Sequence, residues 1–234
     1  MLNIKGITKS FNGLAVLENI CCCVKENEIA ALIGPSGCGK STLLNIISKL
    51  ETPDSGVIEG LGESVACVFQ DNRLLPWRTV WENISLVKET EEAENIRSLI
   101  EMVGLSGFES YYPSQLSGGM QKRCGLARAF YYKSDLLLMD EPFQGLDYYL
   151  RQEMLSILLK LRHSHKKQSI LFVTHEIDDA LIAASKILVF SKRPGKILKE
   201  IVLPGKEGRN PASEELAKIK REILSLQGLY SAPV

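Results

Sequence analysis

Gly34-Pro-Ser-Gly-Cys-Gly-Lys40-Ser41-Thr42 follows the apolar run Ile29 to Ile33 and leads into Leu43, Leu44, Ile46, Ile47 and Leu50. That order reads as strand, glycine-rich loop and helix. A loop of this kind lets successive backbone N–H groups converge on anionic oxygens, and the positive end of the following helix dipole adds to their pull. Gly34, Pro35, Ser36, Gly37, Cys38 and Gly39 would form the cradle. Lys40 would reach the β and γ phosphates of a nucleotide as a point charge, Ser41 would offer a hydroxyl to Mg²⁺, and Thr42 would add a further donor. Taken alone, the stretch could also be a glycine loop without a ligand.

Composition sets the outer limits. A chain of 234 residues, 45% apolar and 24% charged, is large enough for one substantial core and is not a disordered composition. Lys and Arg total 28 and so do Asp and Glu, so no global basic field is available for a nucleic-acid backbone, and nucleic acid is not an expected partner. The start Met1-Leu-Asn-Ile-Lys5 lacks a charged segment followed by an apolar one, and no run approaches the ~18 apolar residues that span a bilayer. A cytosolic chain is expected. Its six cysteines show no C-x-x-C pairing, and Cys21, Cys22 and Cys23 read as small buried strand residues rather than a metal cluster. Cys38, beside a helix N-terminus, is expected to favour thiolate, so that alkylating it would block nucleotide binding.

Along the chain, Ile4 to Ile7, Cys21 to Val24 and Ile29 to Ile33 read as short strands, with Lys25-Glu-Asn-Glu28 a tight turn and Asn27 suited to the left-handed region. Pro53-Asp-Ser-Gly56 is expected to end the first helix, and Val65 to Phe69 to resume a strand. From about Asp71 to Ser134 the pattern is helical. There Thr90 would cap a helix with Glu91, Glu92 and Glu94 in its first turn and Ile96, Leu99, Ile100 and Val103 on one face. Two apolar strands, Leu136 to Met139 and Ile170 to Val173, flank a helix around Leu150 to Leu161, an alternation that predicts a parallel sheet in an α/β core. From Pro204 a linker leads to a helix with Leu216, Ile219, Ile223 and Leu226 at helical spacing, expected to pack on the core.

The strand Leu136 to Met139 ends in Asp140 and Glu141. Asp140 can hold the hydration shell of Mg²⁺, and Glu141 is placed to polarise an attacking water. In isolation this is an exposed acidic turn, but open α/β sheets bind ligands at strand carboxyl ends. His175 closes the strand Ile170 to Thr174 and should emerge at the same edge, where it could donate to the γ-phosphate and position the water.

With Gln70, Leu116-Ser-Gly-Gly-Met-Gln-Lys122, Asp140-Glu141, Gly145-Leu-Asp147 and His175 in this order, the chain resembles the ATP-binding subunits of ATP-binding cassette transporters over nearly its whole length. The resemblance implies an α/β fold: a P-loop NTPase (RecA-like) core with a parallel sheet, an antiparallel β subdomain and an inserted α-helical subdomain. One ATPase domain, 1–234, would divide into a core of 1–70 and 135–203, a helical subdomain of 71–134 and a tail of 204–234. It implies ATP and Mg²⁺ as cofactors and a head-to-tail dimer, each ATP lying between one copy's phosphate loop and Ser117, Gly118 and Gly119 of the other. Phe11 would stack on adenine, Gln70 would touch the metal site with Ser41 and Asp140, and Asp147 would support contacts across the dimer. Glu141, His175 and Gln70 are the catalytic candidates. Met120 stands where many relatives have Gln.

The segments Phe69-Gln-Asp-Asn-Arg-Leu-Leu-Pro-Trp-Arg-Thr-Val-Trp-Glu-Asn-Ile84 and Ser191-Lys-Arg-Pro-Gly-Lys-Ile197 look like those of nitrate, sulfonate and taurine importers. The connection from Gly56 to Val65 is shorter than in many of that group. Leu74, Leu75, Pro76 and Trp77 would line a groove for a coupling helix of an integral membrane permease, while Trp81 would belong to the helical core. The subunit would then sit at the cytoplasmic face of the membrane and meet its solute-binding protein only indirectly. The alternative is a soluble cassette ATPase that drives a cytosolic assembly such as iron–sulfur cluster biogenesis.

Overall fold

The computed structural model describes residues 1–60, 62, 64–165, 168–205 and 207–228. Strands β1 (Leu2–Phe11) and β2 (Leu14–Val24) form a hairpin, and β3 is Ile29–Ile33. Helix α1 (Lys40–Ile47) precedes β4 (Ser55–Glu59) and β5 (Val65–Val68). Helices α2 (Val80–Ser85), α3 (Ala93–Met102) and α4 (Gly118–Tyr132) follow, then β6 (Leu136–Asp140). The chain ends with α5 (Tyr148–Ser164), β7 (Ser169–Thr174), α6 (Ile177–Ala183), β8 (Lys186–Phe190), β9 (Ile197–Val202) and α7 (Glu214–Leu226).

Six strands form one sheet in the order β5-β6-β7-β3-β8-β9, parallel except for the antiparallel edge strand β9. Strands β3, β7 and β8 are buried along their whole length, as central strands with both faces covered must be. Their period-2 alternation divides the interior into two cores. Ile29, Ala31, Ile33, Met139, Phe172 and Val189 join the cluster built with helices α2 to α7. Ala30, Leu32, Leu138, Val173 and Leu188 join the other, with Leu43, Leu44, Ile46 and Ile47 of α1 and the inner residues of β1 and β2. The register pairs Ile33 with Thr174 and Asp140 with Val173. Gly34, Glu141 and His175 therefore leave the sheet at one edge.

A three-stranded antiparallel sheet, β2-β1-β4, forms the second β layer. Here several expectations give way. The first helix ends at Ile47, well before Pro53-Asp-Ser-Gly56, and Ser55 and Gly56 belong to β4. Gly56 lies against β1 so closely that a Cβ there would fall 2.4 Å from Gly6 O. Cys21 points to solvent and Cys22 inward, so the triplet is not uniformly buried. Thr90 does not cap α3: Glu92 is its N-cap residue without a side-chain cap bond, and the Thr90 carbonyl lies 3.5 Å from the Tyr131 hydroxyl. Asn27 is left-handed as expected, at φ 61.

Helix α2 starts with a full capping box, Thr79 accepting from Glu82 N and Glu82 accepting from Thr79 N. Trp81 is half-buried against the helical core, its indole N–H on Glu91 at 2.9 Å. Asn83 is fully buried and donates to Leu75 O, Arg78 O and Thr79 O while accepting from Leu75 N. It thereby fixes the loop on which Pro76 is exposed and Trp77 is 68% exposed. Leu74 instead packs on the core. The C-terminal helix docks through Leu216 and Ile223, and Lys220 pairs with Asp178 of α6 at 2.6 Å. Residues 229–234 of the expected tail lie outside the described residues, as do Leu61 and Glu63 in the connection from Gly56 to Val65.

Candidate active site

Gly37 and Gly39 give the phosphate loop its shape. Both have positive φ, 74° and 107°, and a Cβ at Gly39 would meet Leu17 Cδ2 at 2.8 Å and Val16 O at 3.0 Å. Gly39 is the N-cap of α1, so the amides that open the helix face the concave side of the loop. Lys40 is 6% exposed, and its Nζ donates to Gly34 O at 2.8 Å and to Pro35 O at 2.9 Å. The ammonium is thus held across the loop by its own carbonyls.

Phe11, Ser36, Gly37, Gly39, Lys40, Ser41, Thr42, Gln70 and Glu141 line one cleft of about 460 Å³. Phe11 is half open to solvent, with Lys9 Nζ 4.9 Å from its ring centroid. Gln70 is exposed just past the end of β5. Glu141 follows β6 with φ 49 and is anchored by its own N–H on Val173 O. His175 Nδ1 lies 2.7 Å from Glu141 Oε2, so Nδ1–H donates to the carboxylate and the two side chains form one unit. Asp140 ends β6, and its Oδ1 is buried without a hydrogen-bond partner among the described residues.

Other expected residues stand elsewhere. Cys38 is 1% exposed and does not line the cleft; burial pushes its thiol above the ordinary range, against the counter-pull of Lys40. The expectation of a thiolate open to alkylation is therefore wrong. Ser117 caps α4, its Oγ accepting from Met120 N at 3.3 Å, with Gly118 exposed beside it and Gly119 buried. Asp147 caps α5, Oδ1 accepting from Leu150 N at 3.0 Å. Neither cap lines this cleft. Lining residues that the sequence reading passed over are Leu14, Val16, Gln144 and Arg193. Leu14 and Val16 had a signal in Asn12-Gly13, which marks a hairpin that returns β2 alongside Phe11.

The model of the ABC transporter family matches residues 17–144. An aliphatic sulfonates import ATP-binding protein of Pseudomonas savastanoi pv. phaseolicola is 39% identical over 96% of this chain and 95% of its own length. An uncharacterized ABC transporter ATP-binding protein of Methanocaldococcus jannaschii is 38% identical over 96% of this chain and 90% of its own. Among solved structures, a dimeric bacterial ABC transporter cassette superposes with a TM-score of 0.76 at 29% identity, covering 88% of this chain and all of that one. A dimeric cassette in a post-hydrolysis state with ADP and Pi bound gives 0.75 at the same identity and the same coverage. With the phosphate loop, the paired Glu141 and His175 and these relatives in hand, the chain belongs to the ABC transporter family as an ATP-hydrolysing subunit.

Proposed function

We propose that the chain powers a membrane importer for small anionic solutes of the sulfonate type, the class that several of its relatives are named for. The reading rests above all on one cleft lined by an aromatic platform, the phosphate loop, Gln70 and Glu141, whose carboxylate His175 meets from outside the lining. Phe11 would stack on adenine, and Lys40 would leave the loop carbonyls to meet the β and γ phosphates. Glu141 would take the proton of the attacking water as the water oxygen bonds to the γ-phosphorus and the bond to the β-phosphate oxygen breaks. His175 orients that carboxylate. With Nδ1 turned to Glu141, Nε2 is the ring nitrogen left to meet a phosphate.

Ser41, Gln70 and Asp140 offer only oxygen donors, and the buried Asp140 Oδ1 lacks a partner among the described residues, a set that suits Mg²⁺ shared with phosphates. Bound there, the ion would stabilise negative charge on the transferred group. The division into 1–70 with 135–203, 71–134 and 204–234 goes with this reading. A second copy would supply Ser117, Gly118 and Gly119 opposite the loop, with Asp147 at the seam, and closure would exclude bulk water. A permease would seat on the loop that Asn83 holds, against Pro76 and Trp77, keeping the subunit at the cytoplasmic face; an external binding protein would deliver the solute. Among the described residues no helix is long and apolar enough to cross a membrane.

Glu141→Gln should bind ATP within a few-fold of wild type, hydrolyse it at least ~100-fold more slowly and accumulate ATP-dependent dimers on size exclusion. Near-normal phosphate release would remove Glu141 as the base. Trapped in native membranes, the same variant should copurify with a multi-span permease; purely soluble partners would count against import.

A further inference from the structure

The turn between β8 and β9 is built against the phosphate loop. Ser191 N donates to Lys196 O and Lys196 N donates to Ser191 Oγ, each at 2.9 Å, which closes the turn. Gly195 N donates to Val16 O at 2.8 Å and Gly195 O accepts from Glu18 N at 3.0 Å, which ties it to β2. A Cβ at Gly195 would lie 2.4 Å from Cys38 O, so the turn's backbone rests directly on the loop. From this base Arg193 reaches Gly37 O with Nε at 3.0 Å and Nη2 at 2.6 Å. The N–H of the same peptide unit, that of Cys38, donates to Pro35 O at 3.3 Å. Both ends of one planar unit are held, and its orientation is set. Arg193 also lines the cleft beside Phe11 and Lys40.

We propose that Arg193 is a positioning residue for the polyphosphate of a nucleoside di- or triphosphate. It turns the Gly37 carbonyl away from the ligand, keeps the next amides of the loop converged, and adds a fixed positive charge to the cleft wall. A guanidinium carries five N–H donors, so the two on Gly37 do not exhaust it. Lys40 supplies a charge held by the carbonyls of Gly34 and Pro35; Arg193 supplies the frame.

This inference rests on the cleft being the ATP site, so the test carries a control for that reading. The full chain and its Arg193→Ala, Arg193→Lys and Lys40→Ala variants are titrated with ADP by calorimetry and assayed for ATP hydrolysis. Arg193→Ala should weaken ADP binding and raise KM for ATP by about tenfold, with kcat within about threefold. Its Tm without nucleotide should stay within ~2 °C of wild type. Arg193→Lys, which keeps a donor for Gly37 O, should recover most of the loss. ADP affinity and KM unchanged in Arg193→Ala, with Lys40→Ala impaired, would overturn the role of Arg193 and leave the cleft assignment standing. Unimpaired Lys40→Ala would overturn the cleft assignment itself. A fall in kcat and Tm together, without recovery by lysine, would make Arg193 a fold residue only and also overturn the proposal.

Discussion

Asp179, the fifth residue of the stretch that His175 opens, is 2% exposed and has an Oδ2 without a hydrogen-bond partner among the described residues. Burial pushes its carboxyl up to about 7; Arg151 and His175 pull it down, and Glu176 and Asp178 push it further up. Between the ordinary 3.8 and about 7 the folded chain therefore keeps a proton that the unfolded chain has lost, and this group's contribution to stability falls as pH rises across that window. Asn has the shape of the neutral acid. Asp179→Asn should thus raise stability by roughly 2–4 kcal/mol at pH 8, with the gain shrinking toward pH 4. Thermal melts at pH 5 and pH 8 check this, and a pH-independent difference between the two proteins would argue against a titrating Asp179. The placement of Lys40, Ser41, Glu141 and His175 at one edge of the sheet was readable from sequence because each follows a strand or opens a helix. Cys38 was misread because its proximity to a helix N-terminus says nothing of how deeply its thiol is buried. The grip of Arg193 on Gly37 spans 156 positions and has no local signature.

Elements were legible where periodicity ran uninterrupted and obscure where glycines bent it. Strand β3 matches its reading at both ends, whereas β1 and β2 were read only in part because bulges break their register at Ile4/Ile7, Ile7/Lys9 and Lys9/Ser10. Asn12 and Gly13, at φ 49 and 79, form the left-handed pair of a two-residue hairpin turn joining Phe11 to Leu14. Gly56 looked like a helix stop and is instead the point where β4 passes over Gly6. Strands β8 and β9 drew no notice, although β8 is apolar throughout after Lys186, whose ammonium lies 3.4 Å from Glu28 and 3.7 Å from Glu200. At this scale Asp147 has two tasks that can be separated: it caps α5, and the dimer reading gives its carboxylate a role at the seam. Asp147→Ala should cost about 1 kcal/mol and lower Tm by ~2–4 °C. Asp147→Ser should restore Tm, since a hydroxyl caps as well. If the carboxylate also serves the seam, ATP-dependent dimers will remain depleted in the Ser variant, and their full recovery would confine Asp147 to capping.

Taken whole, the molecule hangs its working parts on α4. Ser117 stands at its N-terminus, and Arg128 donates to Asn72 O at 3.2 Å and Arg73 O at 3.0 Å, on the segment just past Gln70. Midway, Lys122 donates to Pro142 O at 3.3 Å and Gln144 O at 2.7 Å, on the turn that begins at Glu141. One helix therefore carries Ser117, Gly118 and Gly119 at its start and touches the exit from Gln70 and the turn of the proposed base. Burial pulls the Lys122 pKa down while Asp71 and Glu141 oppose it, so the charge is held there at some cost. Methionine matches the lysine stem without the charge, and replacing a partly buried cation by an apolar side chain is often neutral for stability. The two carbonyls would turn to solvent and the tie to α4 would be lost. Lys122→Met should therefore melt within a few degrees of wild type and bind ADP within about twofold, yet hydrolyse ATP ~3–10-fold more slowly, because the turn carrying Glu141 no longer follows the helix. Lys122→Arg, which keeps the donors, should recover turnover. If Lys122→Met hydrolyses ATP at the wild-type rate, α4 supports the turn without governing it, and the link between Ser117 and the base must run across the proposed dimer instead.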